Sequence, residues 1–409
     1  MTASREPIPR ERAEERVPEL LDWMRSQRAR FVELVEALAH MESPSTVPET
    51  QAPVQARLTA ELEALGFRVR VTPGRRTGGR LLARPASPST EYAGGQLLLG
   101  HTDTVWPQGT LESMPVALEG DVLRGPGVFD MKGGVAQIVL ALEALRELDL
   151  APSLAPVVFI NSDEEIGSPE STHTIRLLAR RVRRAFVLEP ALDPSGRIKT
   201  ARKGTGGIRI RVVGRSSHAG LAPDEGASAI AELASVVRRL HAMSDPSRGV
   251  TVNVGMVSGG VRPNVVAPEA QAQVDVRVNT AADGQELERR IHALESTTAG
   301  CHLEIEGAVD RPPLERTPGN RTLWDAAQRL GEAMGIPLEE GRAGGASDGN
   351  TTSQFTPTLD GLGAVGDGAH ATHEHLVVER TLERAALLAG LLLVPEAERG
   401  APVGEGDEG

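Results

Sequence analysis

The spacing of apolar positions changes several times along the chain. Leu21, Met24, Phe31, Leu34, Val35 and Leu38 recur at helical intervals and predict an amphipathic helix over Leu20–Met41. Ser43-Pro44-Ser45 breaks it. A second helix is predicted over Val54–Leu65, with Gly66 just past its end, where a left-handed residue is common. Phe67–Val71, Gln96–Leu99, Pro156–Asn161 and Ala185–Leu188 read as strands. Between them lie a glycine-rich loop, Gly125–Gly134, an apolar helix running to about Leu148, and a helix near Ser171–Arg181. Strands alternating with helices predict a largely parallel sheet with helices on both faces. Ligands of such sheets gather at the C-terminal strand ends, and His101, Glu164, Glu165 and Glu189 all follow predicted strands.

From Gly204 the period changes to two. Ile208, Ile210 and Val212 alternate with Arg209, Arg211 and Val213, and Val274, Val276 and Val278 share one face of Gln271–Val278. Helices over Glu225–Met243 and Gln285–Leu294 and strands over Val250–Val257 and His302–Ile305 complete a β-α-β-β-α-β order, the ferredoxin-like unit. The fold class is therefore α/β: a catalytic domain with a mainly parallel mixed sheet flanked by helices, plus an inserted ferredoxin-like α+β domain. The expected boundaries are 1–203 and 312–395 for the catalytic domain and 204–311 for the insert. Arg311-Pro312-Pro313-Leu314 serves as a stiff return linker. A helix at Arg321–Met334, a loop at Gly341–Asn350, a last helix at Glu379–Leu393 and a disordered tail, 396–409, follow.

Composition narrows the class. A chain of 409 residues with 24% charged and 40% hydrophobic residues describes a soluble globular protein of two domains. Its net charge of -12 argues against nucleic acid. Cys301 is the only cysteine, which excludes an intrachain disulfide and a thiolate metal site. Neither a signal peptide nor a membrane span is read from the sequence, so a cytoplasmic location is expected.

Candidate chemistry sits at the strand ends. Asn161–Gly167 places Glu164 and Glu165 side by side, so that one can hold a metal while the other faces a water. His101 and Asp103, two apart, point to one side, and a carboxylate can fix the tautomer of a metal-bound imidazole. Asp130, among glycines, can bridge two ions through its two oxygens. Glu189 ends a strand. One of His370, His373 and His375 is a further candidate ligand. On Gln271–Val278, Asp275 and Arg277 lie opposite the valines, and a guanidinium there suits a substrate carboxylate. Nitrogen and oxygen donors of this kind fit zinc, with cobalt or manganese as substitutes.

Several motifs together resemble the co-catalytic zinc aminoacylase and carboxypeptidase superfamily, and most of all its glutamate carboxypeptidase branch. They are Gly100-His101-Thr102-Asp103, Asp130-Met131-Lys132-Gly133-Gly134, Asp163-Glu164-Glu165-Ile166-Gly167, Glu189-Pro190, Ser217-His218-Ala219-Gly220, Arg262-Pro263-Asn264-Val265, Asp275-Val276-Arg277, Gly344–Asn350 and Gly368-Ala369-His370 with Glu374. The resemblance implies two zinc ions bridged by Asp130, one completed by His101 and Glu189, the other by Glu165 and His370. It implies Glu164 as general base, Asp103 as support for His101, and a cis peptide after Asp130. His218, Asn264 and Arg277 would meet the substrate from the insert, which in this family is the lid and dimerisation domain. The expected reaction is removal of a C-terminal, glutamate-like amino acid from a small peptide or N-acyl amino acid. Dipeptidase and N-acyl or N-succinyl amino-acid deacylase activities are the alternatives, and a non-catalytic binding protein is the remote one.

Overall fold

A computed structural model describes residues 10–86 and 94–396, with side chains from residue 13 onward. The predicted tail beyond residue 396 lies outside the described residues. The chain opens with α1 (Arg10–Ser26), α2 (Arg28–His40), α3 (Gln51–Ala64), β1 (Phe67–Thr72), β2 (Arg80–Pro85) and β3 (Gln96–His101). Next come β4 (Ala117–Glu119), β5 (Val122–Arg124), α4 (Gly133–Glu147), β6 (Pro156–Asn161), α5 (Thr172–Ala179), β7 (Arg184–Val187) and β8 (Ile198–Arg202). The middle of the chain forms β9 (Gly204–Val213), α6 (Ala229–His241), β10 (Thr251–Gly259), β11 (Glu269–Val278), α7 (Ala281–His292) and β12 (His302–Arg311). It closes with α8 (Pro318–Ala333), β13 (Glu340–Ala343), α9 (Asp348–Thr352), β14 (Thr358–Leu359), β15 (Gly366–Asp367), β16 (His375–Val377) and α10 (Val378–Leu393). Among the described residues no helix is long and apolar enough to cross a membrane.

Two compact units emerge: residues 1–200, 316–341 and 347–409, and residues 201–315 with 342–346. The first is built on a six-stranded sheet in the order β1-β2-β6-β3-β7-β14. β6, β3, β7 and β14 run parallel, and β2 and β1 are antiparallel to their neighbours. The fully buried strands β3, β6 and β7 are apolar on both faces because both are covered. One face packs on a large core that includes Phe31, Leu58, Leu140 and Leu388. The other packs Leu97, Leu99, Phe159 and Val187 against Ile175 and Leu178 of α5.

Three expectations needed correction, and the way in which Asp103 supports His101 is refined. The helix over Leu20–Met41 is two helices, broken at Gln27 (φ -94, ψ 14). Apolar periodicity continues across a one-residue break and so conceals it. β2 had no sequence signal, since Arg80, Arg84 and Pro85 dilute its short apolar run. The loop Gly341–Asn350 contains β13 and the start of α9, where Ser347 and Asn350 form a capping box. The carboxylate of Asp103 is not the closest group to the His101 ring, as detailed below.

The second unit has the sheet order β10-β11-β9-β12, antiparallel throughout. Its β-α-β-β-α-β sequence follows the ferredoxin-like pattern. Val274, Val276 and Val278 are buried with Val236 and Leu240 of α6 and Leu287 and Ile291 of α7.

Arg184, at the start of β7, is buried at the sheet end away from the C-terminal strand ends. It donates to Gln96 Oε1 (3.0 and 2.8 Å), Ser153 Oγ (3.1 Å), and the Leu391 and Val394 carbonyls (3.2 and 2.7 Å). Burial lowers its pKa to about 10. Replacing it with methionine removes a donor from Gln96 Oε1 and the Leu391 carbonyl, at about 1–3 kcal/mol for each group left unsatisfied, whereas the Val394 carbonyl keeps its bond from Ser153 Oγ (2.7 Å) and loss of a buried charge recovers part of the cost. R184M should lose about 2–3 kcal/mol in urea denaturation with unchanged metal content. An unaltered midpoint would contradict this reading of Arg184.

Candidate metal centre

Three strands of the first unit end side by side. His101 closes β3, paired with Asn161 of β6, and Leu99 pairs with Val187 of β7. Glu164 and Glu165 therefore follow β6 on one flank of His101, and Glu189 follows β7 on the other. Asp130 arrives from the loop before α4, and its peptide to Met131 is cis. His370 arrives from the turn after β15, in a left-handed conformation (φ 60).

The side chains converge. His101 Nε2 lies 3.4 Å from Asp130 Oδ1 and 3.7 Å from Glu189 Oε1. His370 Nε2 lies 3.0 Å from Glu165 Oε2 and 3.6 Å from Asp130 Oδ2. The two oxygens of Asp130 thus face two different imidazoles. Donor atoms of His101, Asp130 and Glu165 fall within 4.8 Å of one another, as do those of His101, Glu164 and Glu189. His370, His373 and His375 belong to neither of these two groups.

The ring of His101 is oriented by a carbonyl. Its Nδ1 is 2.9 Å from the Asp103 backbone oxygen and 3.4 Å from the Asp103 carboxylate. An oxygen acceptor there places the proton on Nδ1 and turns the Nε2 lone pair toward the acidic cluster. Nε2 is buried and makes no hydrogen bond. The Asp103 carboxylate instead accepts from the backbone N–H groups of Glu164 (3.3 Å) and Glu165 (3.2 Å) and from Ser45 Oγ (2.7 Å). It fixes the loop carrying both glutamates.

Charge crowding perturbs several members. Burial alone would lower the His101 pKa, but the nearby carboxylates of Asp103 and Asp130 raise it well above the usual range. The hydrogen bond to Glu165, aided by the nearby carboxylates, lifts His370 to about 9. Burial raises Glu165, against the pull of His370. Imidazoles that hold protons tightly beside a buried acid reluctant to ionise describe a pocket of concentrated negative potential. A buried Nε2 with no hydrogen-bond partner and an all-nitrogen-and-oxygen donor set fit a divalent cation such as zinc, which would take the place of the proton that the ring otherwise holds there.

Two residues acquire roles that sequence reasoning did not supply. Asp163 accepts from the N–H groups of Glu170 (2.8 Å) and Ser171 (3.1 Å), tying the glutamate loop to the start of α5. An acid ahead of a helix N-terminus was the available signal. Asp348 accepts from Asn161 Nδ2 (2.7 Å) and Ser168 Oγ, anchoring the same loop at both ends.

The remaining predicted residues lie in the second unit. His218 is exposed, and its Nδ1 accepts from the N–H groups of Gly220 and Leu221, both at 3.2 Å. Its other nitrogen, Nε2, is thereby the proton donor. Asn264 is adjacent, since its carbonyl accepts from Ala219 N (3.1 Å) and His218 bridges to Val265. Arg277 uses its Nε and one terminal nitrogen on Asp275 (2.9 and 3.0 Å), so that edge of the fork is engaged.

Comparison with known proteins agrees with this arrangement. Residues 97–394 match the model of peptidase family M20/M25/M40. Carboxypeptidase G2 of Pseudomonas sp. (strain RS-16) is 27% identical over 373 residues, covering 89% of this chain and 88% of its own. A succinyl-diaminopimelate desuccinylase of Delftia acidovorans is 30% identical over 373 residues, covering 86% of this chain and 94% of its own. Among solved structures, the aminopeptidase PepT of Bacillus cereus superposes with a TM-score of 0.75 at 22% identity, covering 90% of this chain and 98% of that one. The chain belongs to peptidase family M20/M25/M40 and is a hydrolytic enzyme acting on amide bonds.

Proposed function

We propose that the protein is a two-zinc carboxypeptidase that releases a C-terminal, glutamate-like amino acid from a small peptide or N-acyl amino acid. The observation that carries this reading is the Asp130 carboxylate, whose two oxygens face His101 and His370 at 3.4 and 3.6 Å. His101, Glu189 and Asp130 would hold one ion, and His370, Glu165 and Asp130 the other. Bound there, such ions supply Lewis acidity toward the scissile carbonyl and make water a competent nucleophile near neutral pH.

The chain's own groups divide the remaining work. Glu164 takes the proton of the attacking water as it adds to the carbonyl carbon, then returns it to the leaving amine nitrogen. Asp103 holds the Glu164 backbone and the His101 tautomer. His218, with its proton on Nε2, donates to the developing oxyanion. Asn264 contributes a polar contact. The unengaged edge of the Arg277 guanidinium takes the substrate's free carboxylate, which gives exopeptidase character. The second unit acts as the lid, and two copies of the chain associate through it.

A deacylase that removes an N-succinyl or N-acetyl group is the second reading, favoured by the identity to the desuccinylase. A hydrolysis screen of the zinc-loaded protein separates the two. N-acyl glutamates and α- or γ-linked dipeptides test the first, and N-succinyl and N-acetyl diamino acids test the second.

E164Q should retain fold and metal while kcat falls by about 10²–10⁴-fold, the usual worth of a positioned base. Loss of metal in that variant would make Glu164 a ligand instead, and near-normal turnover would end its assignment as base. R277A should raise KM about tenfold or more for substrates with a free terminal carboxylate and leave their amidated counterparts unaffected. An equal effect on both would remove Arg277 from carboxylate recognition.

A further inference from the structure

We infer that Glu374 is a positioning residue that locks the Asp130 loop to the His370 turn through its two carboxylate oxygens. The inference rests on the two-ion reading above. Glu374 is 1% exposed, and four donors converge on it from segments far away in sequence. Oε1 accepts from the backbone N–H groups of Phe129 and Asp130, both at 3.0 Å. Oε2 accepts from Gly127 N (3.0 Å) and Trp106 Nε1 (2.7 Å). The carboxylate therefore gathers three N–H groups of the irregular 127–130 loop, one of them on Asp130 itself.

The other end of this clamp is the His370 turn. Glu374 N donates to the Ala371 carbonyl (2.9 Å), and Ala371 N donates to the Gly368 carbonyl (2.8 Å). The turn is tight: a Cβ at Gly368 would sit 2.8 Å from the Glu374 backbone. Beyond it, His375 enters β16, which pairs with β5. Displacement of the Glu374 side chain thus moves His370 and Asp130 independently of each other. Gly125 N also donates to the Glu374 carbonyl (3.3 Å), but among the described residues the N–H of Asp130 itself meets the His370 turn only through the Glu374 carboxylate.

His101 and Glu189 are placed differently. They stand at the ends of β3 and β7, whose ladder holds them without Glu374. Asp130 is shared by both donor sets and His370 belongs to one alone, so the clamp reaches two donors of the second set and one of the first and should govern the second set more. Ligand-orienting groups of this kind typically change metal affinity by about 10–100-fold.

A glutamine at position 374 keeps the volume but presents an NH₂ to N–H donors, so it separates acceptor chemistry from space filling. The test is zinc titration of the chelator-stripped full chain, with stoichiometry by elemental analysis, on wild type, E374Q and the control W106F. Wild type should bind two ions. E374Q should keep one tight ion and bind the second about 10–100-fold more weakly, with kcat falling more than KM rises and with thermal unfolding of the stripped protein close to wild type. W106F, which removes one donor of four, should stay near wild type. Two equally tight ions in E374Q would overturn the clamp. Wild type that binds no second ion would instead overturn the two-ion reading. A stripped E374Q that unfolds well below wild type, with both sites weakened alike, would make Glu374 a general fold residue and also overturn the inference.

Discussion

The structure of the first unit turns on one electrostatic constraint: several carboxylates crowd with the buried imidazole of His101 and the half-exposed one of His370 at the ends of β6, β3 and β7. Left to themselves these groups repel. Their backbones are held in place by neutral donors that carry no charge into the cluster. Asp103 receives two N–H groups, Asp163 two more, and Asp348 an amide and a hydroxyl. The acids outside the centre thereby spend their charge on peptide dipoles, and the acids inside remain for a cation. Functional centres commonly retain such destabilising crowding.

Much of this was legible in the sequence, for a simple reason. The strands feeding the centre are apolar on both faces, and the polar residues that end each run are the ones that meet. His101, Glu164, Glu165 and Glu189 could be placed by chain order and strand direction alone. The insert was equally legible, because alternation along β9 and β11 shows one buried face. Less visible were the features set by distant partners. The charged and proline ends of β2 dilute its apolar run, and β4, β5, β15 and β16, at two or three residues each, are too short for a period to register. The break at Gln27 preserves the apolar stripe. Asp163 and Asp348 look like ordinary turn acids until the N–H groups that they receive come into view.

The two histidines on the two units show the same principle used differently. At His101 a carbonyl on Nδ1 turns the other nitrogen into a lone-pair donor. At His218 two N–H groups on Nδ1 turn the other nitrogen into a proton donor. One ring type thus presents a lone pair or a proton according to what its backbone offers. Neither tautomer is encoded by the residue itself, so neither could be read from the sequence.

The origin of the donors along the chain has a further consequence. His101 comes from the third strand of the chain, and His370 from the turn before its last helix. A growing polypeptide would expose the acid-rich strand ends long before the second imidazole left the ribosome. Until then the cluster lacks the group that faces Asp130 Oδ2, and it also lacks α10, which packs on α1 and α4. Assembly of the centre is therefore a late event in synthesis. A truncation that removes α10 and the turn before it would strip the core and the centre together, although the chemistry of the centre begins at residue 101.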